Sequence, residues 1–570
     1  MKRLLCLVLL LTIVGCNAPD KIEYTTEDKT YKCLPRTKKA SPVVDCINTE
    51  RLSRAERLMI MSLQGLANRD EAVIYSYNSS DDFIIPIYEK AGYITSRTEF
   101  TDVWNLVSKY SSKCSKAVVC DASKFYQINL ATNIAGVEDR IVITEDIKDR
   151  FVQVTGCSDI LDLCGLELEG PAETFRWYRK NIYPKQNNMV LGLSKGGLVS
   201  HDPFLDYLIS FKLPTFWLPG KKDKDYDPEY DREIIAFLKE TPVNIPVIGF
   251  WYAVEDGTVI GYDEFPGVKE AGKYGKFTLV NDQLGNYTYH SGIRTGKDIY
   301  KQKHSADKIS YSKDKKYVAM IMVESGDAPC YFMYEAFFNR QWNDPDRGKV
   351  PISYGLTPSL TYLAPGVLEH IYKTQSNNDY FFCSISGMGY CYPFEGYGTG
   401  TADRDQCLKD YFWHITSSNM KKMDLDILAI YTHPGPEKWS EDNHMVAEKY
   451  IAQMPGLRAL TAGMHRTGYT GADANFTIGH NISVFNTVTH WSSQGGFRWD
   501  DTSLDDAAVE YLISEIKNNG NGGQFIQAMF YSWDYGPRRL LMLKERLEKE
   551  GYVFVTVEQL DYLFRQSKKK

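Results

Sequence analysis

Past Val14 the 570-residue chain contains no uninterrupted apolar run approaching the ~18 residues that a membrane-spanning helix requires. It has no basic excess either. Lys and Arg total 66 against 73 Asp and Glu, a net charge of -7, whereas a face for nucleic-acid phosphates needs the opposite balance. It has no C-x-x-C pair, and none of its 10 histidines lies four residues from another. Neither a zinc ribbon nor an H-x-x-x-H site is written in such a chain. No structural metal, no cofactor and no nucleic-acid partner are therefore expected.

Aromatic side chains are plentiful: 13% of residues, with 39 Tyr and 10 Trp. Their flat apolar faces and polar edges suit sugar rings and ordinary cores alike. Apolar residues at 43% and charged residues at 24% are usual for a globular protein, and the length implies several domains.

The amino terminus reads as an export signal. Lys2 and Arg3 precede an apolar run, Leu4–Val14, too short to cross a bilayer but suited to a signal's hydrophobic stretch. It ends in Ile13-Val14-Gly15-Cys16, which resembles the lipobox of exported lipoproteins. Residues 1–15 are read as the signal peptide and Cys16 as the lipid carrier. The expectation is an exported protein, lipid-anchored at the bacterial cell envelope on its periplasmic or outer surface, touching the membrane through that lipid alone. Disulfides are possible in an exported chain. Cys33/Cys46, Cys114/Cys120 and Cys157/Cys164 are close enough in sequence to pair, while Cys120 and Cys383 sit in strand-like runs that favour buried thiols.

Residues 16–45 carry Pro19, Pro35, Pro42 and many charges, and read as a tether. Three α/β sections follow, over residues 46–115, 116–187 and 188–310. Ser53–Asn68 has helical spacing, and Ala72–Tyr77, Ala117–Cys120, Arg140–Thr144, Met189–Leu193, Thr215–Leu218 and Pro246–Gly249 read as strands. Gly257–Lys316, rich in Gly, Lys and Tyr, reads as irregular. Over residues 311–566, eight apolar runs alternate with helical patterns: Tyr317–Val323, Val350–Leu356, Tyr380–Ile385, Asp426–Tyr431, Leu457–Thr461, Ile482–Val488, Gln524–Tyr531 and Tyr552–Val557. Strands buried on both faces and alternating with helices form parallel sheets. The fold class is thus α/β: small N-terminal α/β domains followed by a C-terminal (β/α)7-8 barrel.

A barrel of this kind carries its site on the loops after its strands. Asp327, with Glu324 nearby, follows the first strand; its structural alternative is a helix cap. Gly387-Met388-Gly389-Tyr390-Cys391-Tyr392-Pro393 follows the third, with Glu395 just beyond. Gly387 and Gly389 permit a sharp turn and a close backbone approach, and Tyr390 and Tyr392 offer stacking faces and hydroxyls. His433 and His465 follow the fourth and fifth strands. Trp491, Arg498 and Trp499 belong to the loop after the sixth, a composition suited to sugars. Trp533 and Asp534 follow the seventh.

The run from Gly387 to Pro393 matches G-x-G-Y-x-Y-P in full and resembles the signature of the GxGYxYP family of glycoside hydrolases. Leu63-Gln64-Gly65-Leu66-Ala67-Asn68-Arg69 and Tyr354-Gly355-Leu356-Thr357-Pro358-Ser359-Leu360 are similar to two further segments of that family, in the same order. The resemblance implies three small N-terminal α/β domains, a C-terminal barrel and action on glycans. One departure stands out: where a D-G-D-N-like turn is expected after the first barrel strand, this chain has Ser325-Gly326-Asp327-Ala328. The stretch Phe530–Arg538 with Gly551–Thr556 looks like the last units of polysaccharide deacetylase barrels, but the Asp-Asp pair and the H-x-x-x-H motif of those metalloenzymes are missing.

Glycoside hydrolysis uses two carboxylates, one as acid and one as base or nucleophile. The expected pair is Asp327 and Asp534, with Glu324 and Glu395 in reserve; Tyr390, Tyr392, His433, His465, Trp491, Arg498, Trp499 and Trp533 would bind substrate. The alternative is a non-catalytic glycan-binding envelope lipoprotein using the same aromatic loops, which the altered turn at Ser325–Ala328 favours.

Overall fold

A computed structural model describes residues 34–79, 82–195, 204–255, 258–282, 284–296, 299–323, 325–431, 439–462, 475–489 and 494–569. The signal segment and Cys16 lie outside them.

The first unit is a parallel sheet of β1 (Lys39–Asn48), β2 (Glu71–Tyr77) and β3 (Ser96–Phe100), in the order β2-β1-β3. Residues 39–45 are therefore the start of a central strand and not tether, and Leu34 and Thr37 before it are already buried. Pro42 disguised the strand. A proline cannot donate to a ladder, and here it sits where the β1–β2 register breaks, between Ala40 and Asp45. The helix Arg54–Ala67 follows, started by a capping box of Ser53 and Glu56. Gln64, Asn68 and Arg69 at its end tie the N-terminal units together. Gln64 donates to Asn286 (2.8 Å), Asn68 to Thr288 (2.9 Å) and Arg69 to the carbonyl of Gly136 (2.7 Å).

The second unit is a parallel sheet of β4 (Lys116–Val119), β5 (Ile141–Ile143) and β6 (Asp159–Asp162), ordered β5-β4-β6. The third contains β7 (Leu191–Leu193), β8 (Thr215–Phe216), β9 (Ile245–Gly249), the hairpin β10 (Tyr252–Glu255) with β11 (Thr258–Gly261), and β12 (Lys276–Val280). Its main sheet is parallel, ordered β12-β9-β7-β8. Much of the stretch 257–316, read as irregular, is regular: β11, the helix Glu264–Lys273, β12 and the helix Tyr287–Gly292. The glycines that misled are packing residues. A Cβ on Gly267 would lie 2.5 Å from the ring of buried Trp251, so only glycine lets that helix settle there.

The barrel comprises β13 (Lys316–Met322), β14 (Ile352–Leu356), β15 (Asp379–Cys383), β16 (Ile427–Ile430), β17 (Ala459–Ala462), β19 (Ile482–Asn486) and β20 (Phe525–Met529), with β18 (Asn475–Ile478) antiparallel on the outside of β19 and β21 (Tyr552–Val555) against β13. Apart from β18, these strands are apolar and almost wholly buried, as a sheet covered on both faces requires. β13 pairs with β20 on one edge. The ring closes through a parallel bridge between Thr487 and Gln527, where Val488 donates to the Gln527 carbonyl (2.9 Å) and the Gln527 amide to that of Phe485 (3.0 Å). β21 pairs with the start of β13, at Lys316–Ala319, while β14 takes Ile321 and Met322. It is a wedge rather than an eighth stave. All cysteines among the described residues are free thiols; Cys114/Cys120 and Cys157/Cys164 do not pair.

Candidate active site

Ligands of α/β sheets and barrels alike sit at the carboxyl ends of parallel strands. Here two such ends face each other. A cavity of about 360 Å³ lies between the barrel mouth and the carboxyl edge of the third N-terminal sheet. Phe250 and Tyr252 follow β9, Asp282 follows β12, and Glu264 and Phe265 open the helix between; Ser325, Asp327, Cys330, Tyr331, Tyr334, Tyr390, Tyr431, Tyr531 and Trp533 come from the barrel loops.

Among the described residues, three carboxylates line this cavity: Glu264, Asp282 and Asp327. Asp327 is 7% exposed, on a tight turn after β13. Ser325 there has φ of 62°, a conformation uncommon outside glycine. A Cβ on Gly326 would press to 2.6 Å from the Gly355 carbonyl and the Ser384 hydroxyl. The serine that replaces an expected acid is put to use: Trp533 Nε1 donates to Ser325 Oγ at 3.0 Å, fixing the indole at the cavity wall edge-on to Tyr331.

The G-x-G-Y-x-Y-P run fastens the two halves of the site. Tyr390 exchanges both backbone hydrogen bonds with Thr278 of β12, each 2.8 Å. Gly389 permits this, since a Cβ would lie 2.7 Å from Phe277 and 2.8 Å from the Thr278 carbonyl. Gly387 has φ of 111°, and its Cβ would strike Thr416. The Tyr390 hydroxyl donates to Glu264 Oε1 at 3.1 Å and lies 2.7 Å from that of Tyr392. Having one proton, Tyr390 gives it to Glu264 and accepts Tyr392's. Burial raises the pKa of Tyr390 and of Tyr431 well above the ordinary value, with Glu264 and Asp327 both adding to the rise. The two hydroxyls therefore stay protonated. Asp282 accepts from the Tyr334 hydroxyl and lies 3.7 Å from the Cys330 thiol.

Comparison with known proteins adds a family to this geometry. The profile described as "GxGYxYP putative glycoside hydrolase C-terminal domain" matches residues 314–565, and those of the family's first and third domains match 43–112 and 189–292. The chain belongs to the GxGYxYP family. Among solved structures it is similar to one described as a putative hydrolase from Bacteroides thetaiotaomicron VPI-5482. Identity is 19% over 93% of this chain and 95% of that one, with a TM-score of 0.70, so the two share a fold. A polysaccharide deacetylase-like structure from Mycobacterium smegmatis matches 46% of this chain at 11% identity, covering 94% of its own length, with a TM-score of 0.29, too weak to bear on the fold. No curated protein matches.

Within this GxGYxYP protein the expected site residues divide. Asp327, Tyr390 and Trp533 line the cavity, and Tyr392 supports Tyr390 from behind. Asp534 does not line it: its Oδ2 accepts from the amides of Gly496 and Phe497 at 2.8 and 3.2 Å. Arg539, 1% exposed, holds the same loop through the carbonyls of Arg498 (3.0 Å) and Asp501 (3.1 Å). Arg498 is a surface partner of Asp500, and Trp499 lies between the guanidiniums of Arg340 and Arg538, 5.8 and 5.7 Å away. Neither borders the cavity. Glu395 pairs with Lys269 behind Tyr392; burial raises its pKa and Lys269 opposes the rise. Pro393 closes the signature away from the cavity. Glu324, His433, His465 and Trp491 lie outside the described residues. Strand-end reasoning confined to the barrel missed Glu264 and Asp282, because they belong to another domain. The carboxyl ends of β9 and β12 were the signal that could have found them.

Proposed function

We propose that this protein hydrolyses a glycan, with Asp327 and Glu264 as its acid/base pair. The supporting observation is that one carboxylate from the barrel and one from the third domain line the same cavity, walled by aromatic rings, and that both raise the pKa of Tyr390 and Tyr431. Aromatic faces hold sugar rings, and two carboxylates across a bond carry out glycoside hydrolysis. In this reading the hydroxyl of Tyr390 stabilises ionised Glu264, which makes Glu264 the base or nucleophile and Asp327 the acid. The experiment is a screen of the purified chain against a glycan panel for released reducing ends, repeated with Asp327→Asn and Glu264→Gln. Each should lower turnover by ~10²–10⁴-fold while leaving glycan binding largely intact. Undiminished turnover in both discards the pair. Binding without turnover in the wild type, sensitive to Trp533→Ala, would establish the glycan-binding alternative.

The place of action we propose is the bacterial cell envelope, with the chain held by a lipid on Cys16. Fatty-acid labelling of cells should mark the wild type and not Cys16→Ala; label retained in the variant refutes the anchor.

A further inference from the structure

We propose that the amino-terminal face of the barrel docks on an anionic lipid membrane, so that the cavity at the opposite face is turned away from the bilayer. The inference rests on the envelope reading above. It starts from where the positive charge lies. The chain as a whole is acidic, at -7, yet Tyr300–Lys316 holds Lys301, Lys303, Lys308, Lys313, Lys315 and Lys316 against Asp307 and Asp314. All of these lysines but Lys316 are exposed.

The fold lays this segment across the amino ends of the barrel strands. Gln302 bonds in both directions with Phe381 of β15: its amide donates to the carbonyl (3.1 Å) and its oxygen accepts from the N–H (2.9 Å). Gln524, just before β20, donates to the carbonyls of Ser312 (2.8 Å) and Lys315 (2.9 Å). The N–H of Tyr311 donates to Gln566 Oε1 (3.0 Å) near the end of the last helix, Val557–Ser567. That bond brings the exposed Lys568 and Lys569 to the same face.

Ordinary structural needs do not account for this charge. Lys301, Lys303, Lys313 and Lys315 stand in connecting chain, where no helix dipole calls for a cation. The buried carboxylates of this end are served by Arg458, Arg565 and His304, and Asp424 lies 3.6 Å from Lys301. An anionic membrane offers many phosphates in one plane, and a lysine meets a phosphate as a point charge that needs no shaped pocket.

The place where the chain enters the fold agrees. Leu34 is buried, and Arg36 donates to the carbonyls of Ser291 (3.0 Å) and Ile293 (2.6 Å). Tyr300, which precedes Lys301, lies close enough to act on the Arg36 charge. The residues from Cys16 to Leu34 span at most ~60 Å, which puts the proposed lipid and the lysines within reach of one bilayer. The cavity lies at the carboxyl ends of the same strands, so docking through the amino ends leaves it facing outward.

The test uses the mature chain, residues 16–570, with Cys16→Ala so that no acyl chain takes part. Binding is read by co-sedimentation with vesicles of phosphatidylcholine, alone or with about 30% phosphatidylglycerol. The anionic vesicles should bind at least about tenfold more tightly, and about 0.5 M salt should remove the difference. Lys308→Glu, Lys313→Glu and Lys315→Glu together should cost at least about tenfold on anionic vesicles. Lys221→Glu, Lys222→Glu and Lys224→Glu, an equal change of net charge on an exposed loop of the third domain, should cost less than about twofold. Acetylation by a soluble reagent, mapped by mass spectrometry, should slow on the vesicles at Lys308, Lys313 and Lys315 and not at Lys221, Lys222 and Lys224. Equal binding to the two vesicles overturns the proposal, as does an equal loss from the two triple variants or slowed acetylation at the loop alone. Tighter binding to heparin than to anionic vesicles also overturns it, by giving the face to an acidic polysaccharide. No lipid on Cys16 is involved, so failure here would leave that anchor standing, and loss of the anchor would leave the vesicle result standing.

Discussion

The two ends of one barrel treat their carboxylates differently. At the amino-terminal end Asp426, Glu558 and Asp561 face cations. Arg458 reaches Asp426 and Asp561 at 3.2 Å each, Arg565 binds Asp561 at 2.8 Å, and His304 lies 2.7 Å from Glu558. At the carboxyl-terminal end Glu264 and Asp282 accept from tyrosine hydroxyls. A cation neutralises a carboxylate and fixes it; a hydroxyl steadies it and leaves its charge in place. The lower end is tied by ion pairs, and the upper end opens on a cavity lined by carboxylates and tyrosine hydroxyls, the end where such barrels place their sites.

The sharpest way to break this contrast is at the top. Asp327→Asn keeps the size of the side chain, and should abolish most turnover yet leave the melting temperature within a few degrees. A large fall in melting temperature with turnover intact would reverse the roles of the two ends. At the bottom, Arg458→Ala takes the arginine from Asp426 and leaves Asp561 with Arg565 alone; their side chains are 20% and 0% exposed. It should destabilise by ~3 kcal/mol in denaturant titrations without changing glycan affinity. Between the two, Gly389→Ala forces a methyl against Phe277 and the Thr278 carbonyl, at ~1–3 kcal/mol, and should weaken ligand binding along with stability. The smallest effect is a pH dependence. Hydrogen bonding to Glu558 raises the His304 pKa to about 8, helped by Asp424 and Asp426. A raised histidine stabilises the fold fully below its unfolded value of ~6.5 and loses that contribution as pH rises through about 8. Melting temperature should therefore drop slightly between pH 6.5 and 9 in the wild type, and His304→Gln should flatten that slope.

The barrel was legible because each of its strands is a short apolar run buried on both faces, and that pattern needs no partner to be seen. β18 was missed because it is only half buried on the outside of β19. Asp327, which the strand-end rule singles out, lines the cavity. Asp534 obeyed the same rule and proved to be a loop fastener, because a carboxylate after a strand caps neighbouring amides as readily as it meets a ligand. Glu264 and Asp282 were hidden for a different reason. Their elements are punctuated by Gly267, Gly272 and Gly275, and glycine reads as loop when it serves close packing. What brings those carboxylates to the barrel is a contact between Thr278 and Tyr390, 112 residues apart in sequence, which no local pattern records.

That contact has a consequence for how such a chain can be divided or rebuilt. The barrel expressed alone would carry Asp327 and the tyrosines but neither Glu264 nor Asp282, and the third domain alone would carry two acids with nothing opposite them. Neither piece inherits the cavity, which comes into being only when the two dock. An exchange of barrels between relatives would succeed only where the donor's signature loop still fits the resident strand. The seven-residue run by which the family is known is then the joint on which the two halves are assembled.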